Sequence, residues 1–428
     1  MNYRETRQYI QAVQTGAAIQ PGLETISLLL SKIGNPQDMC SFIHLAGTNG
    51  KGSTGTFITN VLAQSGRKIG RYFSPALFSK NETIQWNQGE ETHYITETEY
   101  ETWYVRIGEA IRGMKEQGQP VPTDFEIETA LAFLAFSEWN CDLVILETGM
   151  GGALDATNVV KNVKINVISS IAMDHQRFVG DTIEESPALK AGIITSAAPV
   201  VTVQESPEAL QVIQNRCEEK KASLFVLDRK EIQVLSCEAG LTKFCYQGET
   251  YTIRMCGQYQ VENACLALLA LKVLESMPVE IRQKGMAEAR WPGRFDYVKN
   301  EPVWIADGAH NPQGIQSLLD SLRQLYTDKK WIGIMGVFAD KDHRKMCRKL
   351  AENSRFQKIF TIRAPGPRGL AAEDLAEELS ACGMESYACT SLEEAVDKVK
   401  KLQNLEKDET IAVCFGSLSF MKELYDIM

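Results

Sequence analysis

Gly47-Thr48-Asn49-Gly50-Lys51-Gly52-Ser53-Thr54 is the segment from which the class of this protein can be inferred. Its glycines let backbone N–H groups approach phosphate oxygens and permit a positive φ. Lys51 supplies a cation for the β- and γ-phosphates, and Ser53 or Thr54 supplies a hydroxyl for Mg²⁺. The octapeptide therefore predicts a nucleotide phosphate-binding loop in an ATP-using enzyme. Its spacing differs from the common G-x-x-x-x-G-K-S, so a plain glycine-rich turn is the alternative.

The sequence on both sides of the loop alternates short β-rich runs with longer helical runs. The predicted strands of this part are residues 41–46, 68–73, 143–147, 164–170 and 199–203, and the predicted helices are residues 53–65, 125–139 and 260–276. This alternation is typical of a largely parallel sheet covered by helices, with the loop at a helix N-terminus. Between residues 223 and 254 the runs are shorter and alternate, which predicts a small antiparallel sheet. The N-terminal part is therefore expected to be a P-loop-type ATPase domain of the α/β class.

A second domain is predicted after the break Arg290-Trp291-Pro292-Gly293-Arg294-Phe295, where Pro and Gly disfavour both helix and strand. New predicted strands follow at residues 303–306, 331–337, 357–362 and 411–415, with amphipathic helices between them. We place the domains at residues 1–296 and 297–428, the second being a Rossmann-like α/β domain. A chain of 428 residues is also longer than one hydrophobic core usually supports.

Composition excludes several classes of protein. The net charge of −10 argues against broad binding to nucleic acid. The absence of an apolar run of 18 residues argues against a membrane span, and residues 1–6 lack the features of a signal peptide, so a cytoplasmic location is expected. Eleven scattered cysteines without a C-x-x-C pair predict reduced thiols and neither a disulfide framework nor a zinc site.

Further motifs follow the loop in a fixed order. They are Thr123-Asp124-Phe125-Glu126, the run from Glu147-Thr148-Gly149 to Asp155-Ala156-Thr157-Asn158, Asp174-His175, Lys190-Ala191-Gly192-Ile193, Trp291-Pro292-Gly293-Arg294, Asp307-Gly308-Ala309-His310-Asn311-Pro312 and Gly416-Ser417-Leu418. Together with the loop, this series resembles the folylpolyglutamate synthase and dihydrofolate synthase family of the Mur ligase superfamily. The resemblance implies ATP-dependent amide formation between a folate or dihydropteroate carboxylate and L-glutamate, through an acyl phosphate.

The resemblance also assigns roles to individual residues. It implies that Lys51, Glu147, His175 and Lys190 are catalytic, and that Mg²⁺ is bound at two positions by Ser53, Ser74, Glu147 and His175. Lys190 is either carbamylated, which would make it carboxylate-like, or an unmodified cation. The implied nucleotide contacts are the loop residues Gly47, Thr48, Asn49, Gly50, Lys51, Gly52, Ser53 and Thr54, together with Asn263, Arg294, Asp307 and His310. For Asn263, the polar N-terminus of a helix is the plainer interpretation.

Three departures from the family pattern lie where the acid substrate is expected. Ala76 replaces the His of S-P-H-L, Thr83 replaces the Arg of E-R-I, and Ala153 replaces the Arg of G-G-R-L-D. Two alternatives therefore stay open: a Mur-type ligase that joins an amino acid to a non-folate acid, and a nucleotide-binding protein without catalysis. The expected partners are ATP, L-glutamate and the acid, with no nucleic acid and no membrane, and the chain is expected to be a monomer.

Overall fold

The computed structural model describes residues 2–14, 22–171, 185–203, 206–238, 240–353, 355–405 and 409–428. The predicted residues Asp174 and His175 lie outside these ranges. Two compact units can be distinguished. The first contains the described residues up to Asp228 and Ala264–Met286, and the second contains Arg229–Asn263 and Ala287–Met428.

The strands are numbered in chain order. They are β1 (Phe42–Ala46), β2 (Ile69–Tyr72), β3 (Ile84–Gln88), β4 (Glu91–Tyr94), β5 (Leu143–Glu147), β6 (Val163–Ile168), β7 (Val200–Thr202), β8 (Leu224–Val226), β9 (Ile232–Glu238), β10 (Leu241–Tyr246), β11 (Glu249–Ile253), β12 (Asp296–Asn300), β13 (Val303–Asp307), β14 (Lys330–Met335), β15 (Phe356–Thr361), β16 (Ser386–Ala388) and β17 (Thr410–Phe415).

The α-helices of the described residues are numbered in the same way. They are α1 (Tyr3–Gln14), α2 (Glu24–Lys32), α3 (Lys51–Gln64), α4 (Glu97–Glu116), α5 (Asp124–Glu138), α6 (Glu185–Ala191), α7 (Pro207–Lys220), α8 (Gln258–Leu274), α9 (Val279–Glu288), α10 (Pro312–Leu325), α11 (His343–Asn353), α12 (Ala372–Ala381), α13 (Leu392–Leu405) and α14 (Met421–Ile427). None of the described helices is long and apolar enough to cross a membrane.

The first unit is built on an eight-stranded sheet with the order β4-β3-β2-β5-β1-β6-β7-β8. The strands from β2 to β8 in this order pair in parallel, whereas β3 and β4 form an antiparallel edge. In the register, Leu45 pairs with Glu147, Ala46 with Ile168, and Tyr72 with Leu146. The carboxyl ends of β1, β2, β5 and β6 therefore meet at one edge of the sheet, which is where open α/β sheets bind ligands.

The residues of the central strands explain why they are central. All five residues of β5 are buried, and so are all five of β1, which is the pattern of a parallel strand covered on both faces. Helix α5 packs on one face of these strands and has buried residues on nearly all of its sides. Its Phe133 packs edge-on against Phe42 of β1, with ring centroids 5.7 Å apart. A capping box of Thr123 and Glu126 fixes the start of α5.

The second unit contains a three-stranded antiparallel sheet, β11-β10-β9, and a six-stranded sheet, β12-β13-β17-β14-β15-β16. The six-stranded sheet is parallel except for β12, which is antiparallel to β13. Its core contains the buried rings of Trp331, Phe356 and Phe415.

The predicted α/β class, with its small antiparallel sheet and C-terminal Rossmann-like sheet, is confirmed. The prediction for the region from residue 223 is wrong at its start. Leu224–Val226 pairs in parallel with β7 and extends the large sheet, and the antiparallel strands begin at Ile232. A three-residue strand is too short for its own sequence to show a period of two, so the sequence could not separate it from the strands that follow.

Candidate active site

The phosphate loop joins β1 to α3, and its backbone requires glycine at two positions. Gly47 has φ +148° and Gly50 has φ +91°. A Cβ atom on Gly47 would run into the side chain of Ser169, which follows β6. The backbone N–H groups of Thr48 and Asn49 donate to the carbonyl of Ser170, at 2.8 and 3.3 Å. The loop is therefore held close against the end of β6, which no residue with a side chain at position 47 could permit.

Lys51 and Glu147 face each other beside this loop. Lys51 is the first residue of α3, and its Nζ donates to the Gly47 carbonyl at 2.9 Å. The same Nζ lies 4.0 Å from Oε1 of Glu147, the last residue of β5, and the two side chains are 15% and 10% exposed. The structure thus brings together two of the four residues predicted to be catalytic, at the carboxyl ends of adjacent strands.

Three of the four predicted metal ligands lie among the described residues, and all three offer oxygen donors. Glu147 offers a carboxylate, and Ser53, which is 3% exposed, and half-buried Ser74 offer hydroxyls. The Oγ1 of Thr54 is buried and has no hydrogen-bond partner among the described residues. No group of three His, Cys, Asp or Glu side chains gathers within the described ranges. Hard oxygen donors with a single carboxylate fit Mg²⁺, which keeps water and substrate phosphate oxygens as its other ligands.

Arg71 of β2 is a residue of this site that the sequence analysis missed. It is 4% exposed, and its Nη2 donates to the Gly52 carbonyl at 2.9 Å and to the Thr56 hydroxyl at 2.8 Å. Burial lowers the pKa of Arg71 to about 10, and the charge of Glu147 acts in the opposite direction. The guanidinium therefore stays charged at neutral pH and places a second cation within electrostatic reach of Glu147.

Lys190 is held in α6 by the loop that follows β5. Lys190 is buried, with 5% of its surface exposed. A Cβ on Gly152 would lie 2.5 Å from the carbonyl of Leu189 and 3.1 Å from Cα of Lys190. The N–H of Ala153 also donates to the carbonyl of Leu189 at 2.8 Å. The glycine-rich run after Glu147 thus serves close packing against the helix that carries Lys190.

A series of hydrogen-bonded, buried polar side chains stabilises the loop that follows β5. Asp155 accepts hydrogen bonds from the N–H of Met150, at 2.8 Å, and from the Thr157 hydroxyl, at 2.6 Å. Since Thr157 donates its one hydroxyl proton to Asp155, it accepts from Nε2 of His44, which lies 3.0 Å away. Burial raises the pKa of Asp155 and lowers that of His44 to about 3. His44 is therefore neutral, with its proton on Nε2.

In the second unit, Asp307 is the last residue of β13. Its hydrogen bonds connect the motif that ends at Arg294 with the motif that begins at Asp307 itself. Its carboxylate accepts from the Tyr259 hydroxyl at 2.9 Å and from the N–H groups of Phe295 and Ala309 at 2.8 Å. Burial raises the pKa of Asp307, and the nearby Arg294 guanidinium acts against this. His310 is half-buried, and its Nδ1 lies 2.7 Å from the Gly308 carbonyl. Arg294, Asp307 and His310 therefore belong to one cluster.

Asn263 lies in the first turns of α8, where the sequence placed it. Its Nδ2 donates to Oε1 of Gln260 at 3.0 Å, and Gln260 is completely buried. Nε2 of Gln260 has no hydrogen-bond partner among the described residues. Gly257, with φ +96°, begins the turn that leads into the helix. The contact of Asn263 with a nucleotide stays a prediction.

The three departures from the family pattern lie in different surroundings. Ala76 is half-buried in the loop after β2, and Thr83 is buried with its hydroxyl donating to the carbonyl of Lys80 at 2.8 Å. Ala153 packs against Gly192, where a Cβ on the glycine would collide with it. Each position is thus filled by a small side chain, and those of Thr83 and Ala153 make local contacts.

Comparison with known families gives two matches. Residues 45–271 match the family described as the Mur ligase middle domain, and residues 293–418 match the family described as the Mur ligase, glutamate ligase domain. The first match alone covers more than half of the chain.

Curated proteins and solved structures resemble the chain over nearly its whole length. The dihydrofolate synthase/folylpolyglutamate synthase of Bacillus subtilis is 31% identical over 438 aligned residues, which cover 99% of this chain and 98% of that protein. The folylpolyglutamate synthase of Mycobacterium tuberculosis complexed with ADP superimposes with a TM-score of 0.87 at 28% identity, covering 98% of both chains. FolC of Escherichia coli in complex with DHPP and ADP has a TM-score of 0.84 at 28% identity and covers 100% of this chain and 97% of that chain.

Proposed function

Because the chain belongs to the folylpolyglutamate synthase/dihydrofolate synthase family of Mur ligases, we propose that it joins L-glutamate to a folate or to dihydropteroate at the expense of ATP. The observation that carries this proposal is the pairing of Lys51 with Glu147 at the phosphate loop. The FolC complex with DHPP and ADP, which covers this chain in full, supports a pterin and a nucleotide as the ligands.

The residues of the loop suit the first half of this reaction. Backbone N–H groups at the start of α3 and the Lys51 ammonium would hold the phosphates of ATP. The acid carboxylate would attack the γ-phosphate to form an acyl phosphate and ADP. The amino group of L-glutamate would then attack the acyl carbon, form the amide and release phosphate. Both steps bring negative charges together, so positioned cations are the main contribution that the protein can make.

Mg²⁺ is part of the proposal. Glu147, Ser53 and Ser74 would hold it together with phosphate oxygens, and His175, which lies outside the described residues, is the fourth predicted ligand. When bound, the ion neutralises charge on the phosphates and orients them.

Lys190 has two candidate chemistries within this proposal. An unmodified ammonium would contact phosphate, whereas a carbamate would supply a carboxylate-like ligand for a second Mg²⁺. Lysine reacts with CO₂ as the free amine, so only the deprotonated side chain could form the carbamate. Incubation with ¹³C-bicarbonate followed by ¹³C NMR separates the two, because a Lys190→Ala control would remove a carbamate signal that arises at this residue.

The proposal also covers the chain as a whole. We propose that the chain acts as a monomer in the cytoplasm. The scatter of eleven cysteines without a C-x-x-C pair favours a reducing compartment. Light scattering of the purified chain tests the monomer.

A substrate panel tests the function. Phosphate release is measured with ATP, Mg²⁺ and L-glutamate, in the presence of tetrahydrofolate, dihydropteroate or neither. Stimulation by a pterin, with a mass increase of one glutamyl residue in the product, supports the proposal. ADP binding without stimulation by either pterin would reject it.

A second candidate is a ligase for a non-folate carboxylic acid. The small residues Ala76, Thr83 and Ala153 favour it, because they remove two cations and an imidazole from the expected acid site. In this case one of a panel of other carboxylic acids would stimulate phosphate release. Neither pterin would do so. A chain that binds ADP and releases no phosphate with any acid would instead be a nucleotide-binding protein.

A further inference from the structure

We propose that Cys237 and Cys256 form a thiol modification site in the second unit, where hydroperoxides convert the pair to a disulfide. Cys237 lies on β9 and is half-buried, whereas Cys256 is buried just before α8. Both thiols are free. This site goes beyond the proposed function and does not depend on it.

Both sulfurs contact residues of the β9–β10 hairpin. Sγ of Cys256 accepts from the N–H of Gly240 at 3.2 Å and lies 3.3 Å from the carbonyl of Glu238, the residue after Cys237. Sγ of Cys237 lies 3.3 Å from the hydroxyl of Thr242, its cross-strand partner. The two thiols interact, since each affects the pKa of the other. Both sulfurs thus lie at the turn of one hairpin, and such proximity is the first requirement of a disulfide.

The surroundings assign different roles to the two thiols. The interaction with the Cys256 thiol and the hydrogen bonds with the Thr242 hydroxyl and the Gly257 N–H lower the pKa of Cys237, whereas burial acts in the opposite direction. Gly257 directly precedes the 17-residue helix α8, and a helix N-terminus favours a thiolate. The hydrogen bond to Cys237 and burial raise the pKa of Cys256. Cys237 is therefore the reactive thiolate, and Cys256 is the thiol that resolves it.

The chemistry needs one hydroperoxide for each pair. The Cys237 thiolate attacks the peroxide, an S–O bond forms, the O–O bond breaks, and the leaving alkoxide or hydroxide takes up a proton. Cys256 then attacks the Cys237 sulfur, the S–S bond forms, the S–O bond breaks, and the departing hydroxide leaves as water with the Cys256 proton. The two sulfurs together lose two electrons, and the peroxide gains them.

The experiment treats the full native chain with hydrogen peroxide and maps the products by non-reducing peptide mass spectrometry. We expect a disulfide-linked pair of peptides containing Cys237 and Cys256. A matched control is Cys245 on β10 of the same sheet, which is also half-buried. Thiolate character should make Cys237 roughly three- to tenfold faster than Cys245 toward a thiol reagent.

Two variants test the assigned order. In Cys256→Ser, Cys237 should stop at sulfenic acid, which dimedone traps, and in Cys237→Ser neither the disulfide nor rapid trapping should appear. Thermal unfolding of both variants shows that they are folded. A native chain that forms no Cys237–Cys256 link, or in which Cys237 reacts no faster than Cys245, would overturn the proposal. Rapid trapping at Cys256 in Cys237→Ser would overturn the roles.

Discussion

Among the individual residues of the site, Glu147 supplies the charge on which the proposed Mg²⁺ site depends. Glu147→Gln keeps the size of the side chain and removes its charge beside Lys51. We expect phosphate release to fall by at least about 100-fold, because loss of even a residue that only supports a metal ligand costs about 10–100-fold. ADP affinity measured without metal should be kept, because the change removes a negative charge near the phosphates. Glu138→Gln, at an exposed pair with Arg106, is the control and should keep activity. Full turnover in Glu147→Gln would contradict the assignment.

Arg71 gives a second prediction. Arg71→Leu removes the hydrogen bonds to Gly52 and Thr56, so the first turn of α3 loses a contact that fixes the loop. We expect ADP affinity to fall by about tenfold, the loss corresponding to roughly 1–3 kcal/mol for a broken buried hydrogen bond. The melting temperature should change little, because an apolar replacement avoids the desolvation of a buried cation. Titration calorimetry and thermal unfolding measure the two effects.

Whether Arg71 serves nucleotide binding or only the fold depends on which of the two measurements changes in Arg71→Leu. A loss of stability with unchanged ADP affinity would mean that Arg71 serves the fold alone. Arg71→Lys keeps a charge without the planar fork that reaches two acceptors, so it should restore the affinity in part.

Arg71 also shows where sequence reasoning about the site ends. The octapeptide identified Lys51 and the loop because the requirements for phosphate binding are local and specific. Arg71 lies in a predicted strand, where a single charged residue is normally exposed. Its function comes from the pairing of β2 with β5, which no local pattern encodes.

At the element scale, the loop after β5 packs against α6 through Gly152. Gly152→Ala would press a methyl group on the carbonyl of Leu189 and on Lys190. We expect displacement of Lys190 and a fall in phosphate release of about tenfold or more, since small misplacements in an active site are costly. Gly151→Ala is the matched control, because Gly151 has φ +74° but no atom within 4 Å of the added Cβ.

Gly151→Ala separates the effect of backbone strain from the effect of a steric collision with α6. Gly151→Ala should lower stability by about 1 kcal/mol through its backbone alone and keep most of the activity. Equal activity of the two variants would show that the packing of Gly152 does not position Lys190.

The strands of the large sheet differ in how well the sequence predicts them. Residues 143–147 were predicted to be a strand and coincide with β5, because an apolar run ending in a carboxylate has clear limits. The hairpin of β3 and β4 was not predicted. Glu91–Tyr94 is polar and mostly exposed, and in Ile84–Gln88 the alternation of Ile84 and Trp86 with polar residues is too short to mark a strand by itself.

At the scale of the whole molecule, buried His44 should make the stability of the chain depend on pH. Burial lowers its pKa to about 3 in the folded chain, against 6.5 for an ordinary histidine. Below pH 6.5 the unfolded chain therefore binds a proton that the folded chain does not, so the stability falls as the pH falls from about 6.5 toward 3. At about 1.4 kcal/mol per pH unit, the loss between pH 7 and pH 5 is about 2 kcal/mol. Urea denaturation at the two pH values measures it.

Asp155, at the other end of the same hydrogen-bonded chain, acts in the opposite direction. Its raised pKa means that the folded chain binds a proton more readily than the unfolded chain, so acidification favours folding through this group. A variant that changes His44 alone separates the two contributions. His44→Gln keeps an N–H donor for Thr157 and cannot titrate. Between pH 7 and pH 5, the native chain should lose about 2 kcal/mol more than this variant. Equal losses would show that His44 is protonated, and therefore solvated, in the folded chain.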